Sequence, residues 1–206
     1  MLQEGKIGVK ANKGVADLRL TDERDLVVAQ GHASFQEAVL GGHVFGVANQ
    51  TGVTSQAGLS VTTPVLTLCN PAGSGKNAVL WYAGATFTVV FAAVAAIFVA
   101  VGTNTVDSAV TGTLTTTHRN LKLGASSTNA CKVYLAATLP TTPVAVAILG
   151  AGLTGAVNLL PNTQPLGRWF NGSIILKPGT NLSLQTSTAS GASGMFCEYI
   201  WEEIDE

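Results

Sequence analysis

Four groups of residues have the types and spacing that chemistry would need. The first is Gly73-Ser74-Gly75-Lys76, because a phosphate-binding loop ends in Gly-Lys. Such a loop has a Gly five residues before its last Gly, and Ser or Thr after the Lys. Asn70 and Asn77 occupy those two positions. The loop must also open a helix whose N-terminal amides face the phosphates. The chain instead continues through Val79, Leu80, Trp81, Tyr82 and then Thr86 to Phe91, a β-branched and aromatic run that favours strand. The segment reads as a Gly/Ser/Asn turn between strands.

The second group is His32, His43 and His118, which lack the helical or hairpin spacing of metal ligands. A Ser-His-Asp set can be assembled on paper from Ser74, His118 and Asp107, but no nucleophile-elbow context surrounds Ser74. The third group is Cys69, Cys131 and Cys197. They are odd in number and far apart, so they read as buried free thiols rather than a disulfide frame or a zinc site. Free thiols fit a reducing cytoplasm. The fourth group is Trp81, Trp169 and Trp201, candidate anchors of a core or a subunit interface. Trp169, beside Arg168 and Asn171, is also the one local hint of a carbohydrate site. The expectation is a protein that is not an enzyme and holds no metal or cofactor.

The elements that would position these residues are strands. A chain of 206 residues can bury one good core. Charged residues make up 11%, against about 25% in ordinary soluble domains. They concentrate in the first fifty residues and in an acidic end, Glu198, Glu202, Glu203, Asp205 and Glu206, which reads as solvated. Positions 51–197 hold only Lys76, Asp107, Arg119, Lys122, Lys132, Arg168 and Lys177. A surface so poor in charge is prone to association, so the middle is expected to bury area between subunits. The net charge of −1 gives no basic face and argues against nucleic acid as a partner.

Positions 78–101 carry no charge and are long enough to cross a bilayer as a helix. They are rich in Ala, Thr and Val rather than Leu, and no Lys/Arg cluster flanks them. They read better as buried strands joined by a bend, the outgoing half of a central hairpin, with a helical turn over 92–96. No membrane partner is therefore expected. Strands are also read at 26–29, 35–40, 43–48, 64–70, 129–139, 144–149, 165–176, 182–186 and 195–204. A connector is read at 150–162, and Lys177-Pro178-Gly179 is a strong turn. Many short strands with regular turn signals indicate an all-β sandwich of jelly-roll or Greek-key kind. Residues 1–25 form an extended N-terminal arm, and 26–206 form the sandwich, with 26–60 as a peripheral strand subregion.

Three stretches carry a family resemblance: 18–45 from Leu18-Arg19-Leu20 to Gly41-Gly42-His43-Val44-Phe45; 70–77; and Leu176-Lys177-Pro178-Gly179-Thr180 with Tyr199-Ile200-Trp201-Glu202-Glu203-Ile204. Together they resemble small trimeric β-sandwich structural proteins of tailed bacteriophage virions. The resemblance implies a homotrimeric capsid decoration (cement) protein on the virion exterior, assembled in the host cytoplasm and bound to the major capsid protein. It implies that the N-terminal arm ties the body to the shell, with Lys6, Lys10, Lys13, Arg19 and Arg24 as candidate partner contacts. The alternative is a head-fibre or tail module that binds a receptor or glycan.

Overall fold

The computed structural model describes residues 19–20, 26–27, 35–89, 91, 93–152, 166–190 and 194–206. The chain divides into two compact units, Met1–Glu37 and Ala38–Glu206. In the first, β1 (Arg19–Leu20) pairs antiparallel with β2 (Leu26–Val27). The second holds the sandwich. The expected strand at 35–40 is corrected: Gln36–Gly41 is a single short helix, α1. Glu, Ala and Leu favour helix there, and Gly42 ends it in the left-handed region at φ 77°.

The remaining strands are β3 (Val44–Ala48), β4 (Leu66–Asn70), β5 (Lys76–Phe87), β6 (Ala95–Thr103), β7 (Thr111–Leu114) and β8 (Arg119–Asn120). They continue with β9 (Lys132–Thr138), β10 (Val144–Gly152), β11 (Leu166–Leu176), β12 (Thr180–Thr186) and β13 (Met195–Asp205). Their pairing is nested. β7 pairs with β9, β6 with β10, β5 with β11, β4 with β12 and β3 with β13, all antiparallel. The chain is one long antiparallel ribbon, doubled on itself and wound into two sheets, as in a jelly roll. One sheet has the order β11-β5-β13-β3-β8, the other β10-β6-β12-β4-β9-β7. The all-β sandwich read from the sequence is what the chain forms.

Strand β13 buries alternate residues toward the other sheet, as a period of two requires, whereas central β4 and β12 are buried on both faces. In β13, Met195, Cys197, Tyr199 and Trp201 point inward and are almost fully buried. They meet Leu66 and Leu68 of β4, Ile97 and Val99 of β6, and Leu182 and Leu184 of β12 in one core. The Tyr199 hydroxyl crosses the core to donate to the Leu66 carbonyl at 2.9 Å. On the far side of the six-stranded sheet Val61 packs against Cys69, Val110, Ala137 and Leu139, and the neighbouring Ser60 ties the chain to β12. There Ser60 and Gln185 exchange two hydrogen bonds, from Ser60 N to Oε1 at 3.2 Å and from Nε2 to Ser60 O at 3.0 Å.

Two sequence expectations about positions 66–101 change. Strands β4 and β5 are not a hairpin, because they lie in different sheets, and the turn between them carries the chain across the sandwich. Ala95 and Ala96 open β6 rather than a helical turn. Among the described residues no helix is long and apolar enough to cross a membrane.

Candidate functional site

The Gly73-Ser74-Gly75-Lys76 turn is built to join sheets. Asn70, fully buried, donates from Nδ2 to the carbonyls of Lys76 at 2.7 Å and Leu176 at 2.8 Å. Its Oδ1 accepts from the Ser74 hydroxyl at 2.6 Å. The Lys76 ammonium is paired with Asp205 across the strand register and is spoken for. Asn70, one of the two residues that depart from the phosphate-loop pattern, is thus the one that holds the turn. Ser74 faces Asn70, while His118 Nε2 lies 3.1 Å from the Ser127 carbonyl. No Ser-His-Asp relay connects them.

The thiols sit as expected: Cys69, Cys131 and Cys197 are free and buried. Burial pushes Cys69 up to about 11, partly offset by Lys132. Cys131 is raised further, by burial first and then by the Glu203 carboxylate; Cys197 is raised by burial and Glu198. Such thiols are poor nucleophiles. Among the described residues no group of three or more His, Cys, Asp or Glu side chains is placed to hold a metal.

The acidic end forms the expected last strand, and its reading as solvated is corrected at Glu203, whose carboxylate is buried. Glu203 is 7% exposed. Its carboxylate accepts from the backbone N–H groups of Ala130 at 2.8 Å and Cys131 at 3.0 Å, and from Trp201 Nε1 at 3.1 Å. Trp201 itself is fully buried and stacks on Phe45. Trp81 is buried as well. Trp201 belongs to the sandwich core. Trp169 is the exposed one of the three, at 52%, with its ring 5.0 Å from that of Tyr82. Arg19 pairs through its backbone with Val27. Lys6, Lys10, Lys13, Arg24 and His32 lie outside the described residues, as does most of the 150–162 connector, whose first three residues end β10.

The surface feature that stands out is one side of the sandwich. Its two edge strands there, β10 and β11, have 9 and 11 residues, whereas β7 and β8 at the opposite edges have 4 and 2. Short edge strands are how proteins block strand-to-strand association. The β7/β8 side is blunted in that way and the β10/β11 side is not. Val144, Val146 and Ile148 of β10 and Ile175 of β11 are each at least half exposed. Between the two strands opens a cleft of about 660 Å³, lined by Val101, Val144, Val146, Ile174, Ile175 and Leu176 among others. Positions 133–167 contain no Asp, Glu, Lys or Arg at all. That run was a sequence signal for this edge, and reading positions 78–101 as the central uncharged stretch passed over it.

A second feature lies on the outer face of the five-stranded sheet. Register places Ala48, Glu198, Gly84 and Gly167 in one row across β3, β13, β5 and β11. The next row is Gly46, Ile200, Tyr82 and Trp169. The Tyr82 phenol lies across the two glycines: a Cβ on Gly167 would fall 1.8 Å from its oxygen. That hydroxyl bonds the Glu198 carboxylate, which, after burial, raises the phenol's pKa. Beside Glu198 the face is hollowed by about 220 Å³.

No family model matches the chain, and no curated protein or solved structure matches it either.

Proposed function

We propose that this is a non-enzymatic virion structural protein, a capsid decoration protein that forms a homotrimer and binds the major capsid protein from outside. The observation that carries the assembly part is the long β10/β11 edge, with Val144, Val146, Ile148 and Ile175 exposed and Arg168 its one charge. A closed three-fold ring needs head-to-tail contacts between two different patches. Strands β10 and β11 are two such patches, and the cleft between them can take apolar side chains of a neighbour. The virion part is supported by the resemblance of the 18–45, 70–77 and 176–204 stretches to small phage structural proteins. Adhesion to a shell would then use three arms at once, so that avidity replaces single-contact strength.

Light scattering on the purified full chain tests the assembly, with a mass of three chains expected. Co-sedimentation with capsid shells that lack the protein tests the attachment. A monomer at micromolar concentration would sink the trimer, and a trimer that leaves shells unbound would sink the decoration role. The alternative, a receptor- or glycan-binding module, is favoured by one observation, the hollow beside Glu198 and Phe196.

A further inference from the structure

We propose that Asn171 is a self-modification site: its side-chain amide is lost to attack by the Gly172 backbone nitrogen, which leaves a carboxylate on the β11 edge. The placement comes from an irregularity of the strand. Trp169 pairs with Tyr82 and Ile174 with Leu80, so residues 170–173 stand opposite Trp81 alone. The excess length leaves the ladder as a bulge. Asn171 and Gly172 occupy its middle, at φ 49° and 81°. Two successive residues in the left-handed region make the tight turn for which Asn-Gly is a favoured pair. Phe170 is buried and roots the bulge in the core, while Asn171 is exposed.

The chemistry needs an amide free to turn onto its own backbone, a following nitrogen without a bulky neighbour, and access for water. Asn171 alone among the described asparagines has all three. Asn49, Asn70, Asn104, Asn120 and Asn181 are buried, and Asn129 donates to the Cys131 carbonyl. Asn77 has a buried Oδ1 and is followed by Ala78. The Asn171 amide makes no hydrogen bond among the described residues. Nowhere else in the chain does a Gly follow an Asn. With no Cβ, Gly172 leaves its nitrogen open to approach and lets its peptide plane turn. In the first step the Gly172 nitrogen bonds to Asn171 Cγ, the bond from Cγ to Nδ2 breaks, and ammonia leaves with the Gly172 amide proton. The product is a succinimide. Water then opens one of the two ring C–N bonds, giving aspartate or isoaspartate. The new carboxylate joins an edge whose one charge is Arg168. Charge on an edge strand works against strand-to-strand association. That consequence rests on the assembly proposed above, whereas the modification does not.

The full chain is aged in mildly alkaline buffer, folded and in urea, and its asparagine peptides are followed by mass spectrometry. Asn171 is expected to convert to two products of equal mass ahead of every other described asparagine. Its rate should lie within about tenfold of that in the unfolded chain, because an exposed loop opens at almost no cost. An Asn171 that stays intact in the folded chain while the unfolded chain converts overturns the proposal, as does faster loss at another described asparagine. Asn171→Gln, whose longer side chain closes the ring far more slowly, should release much less ammonia. Release at the wild-type rate from that variant would place the reaction elsewhere and overturn the proposal too. Light scattering on the aged chain and on Asn171→Asp reads the consequence, a lower oligomer mass. A monomer that loses the Asn171 amide would refute the assembly reading and keep this one; a trimer in which Asn171 stays intact would do the reverse.

Discussion

Glu203 shows how much a single side chain can carry here. Its carboxylate ties the 130–131 backbone, ahead of β9 in one sheet, to β13 in the other, and it also satisfies the Trp201 indole. Glu203→Ala would strand three buried donors. A loss of roughly 2–3 kcal/mol is expected, read from urea unfolding, with Glu203→Gln recovering part of it. An unchanged midpoint in the Ala variant would remove this carboxylate from the scaffold. The thiols make a pH prediction. Cys69 is held at about 11, whereas an unfolded thiol ionises near 8.5. Above that lower value the unfolded chain sheds protons that the folded chain keeps. Stability is therefore full below about pH 8.5 and falls as pH rises toward 11. Cys69→Ala should lessen the fall in a urea series across that range, the remainder coming from Cys131 and Cys197, and an equal fall in the variant would assign it wholly elsewhere. Cysteine burial was legible from number and spacing. The role of Glu203 was not, because a Glu at an alternating strand position looks the same whether it faces water or two backbone amides.

At the level of elements, strand pattern was readable wherever one face is buried. The alternation through Met195–Asp205 and the Pro-Gly turn at 178–179 placed β13 and the β11–β12 connection directly. Position 35–40 misled because a six-residue segment holds too few repeats to separate a period of 3.6 from one of two. The hairpin reading of 66–101 failed for another reason. A local turn between two strands fixes that the chain reverses, not whether the strands bond each other or face each other across a core. Asn70, bonding to both Lys76 and Leu176, is where that choice is made. The edge strands give a test of their own. Val146→Lys places a charge on exposed β10 without touching the core. Melting should stay within about 0.5 kcal/mol of wild type, while the proposed trimer shifts toward monomer. A trimer that tolerates the lysine would move the interface away from this edge.

On the scale of the whole molecule, the nested pairs are nearly all contacts between distant parts of the chain. Such topologies fold slowly, since loop closure precedes any gain from contact. Stopped-flow refolding followed through buried Trp201 is expected to take milliseconds to seconds, and a microsecond phase that completes the Trp201 signal would contradict the nested assembly order.

The same nesting sets a timetable during synthesis. Strand β3 finds its main partner at positions 198–202, and Ala48 pairs with Glu198, 150 residues further along. At ~5–20 residues per second, that partner leaves the ribosome roughly 8–30 s after β3 does. Until then β3 has as its other neighbour only the two-residue β8. The nascent chain thus spends most of its manufacture as a half-closed sandwich with an open central seam. Whatever guards that seam in the cell, crowding by its own sister chains on one messenger included, acts before the chain is complete.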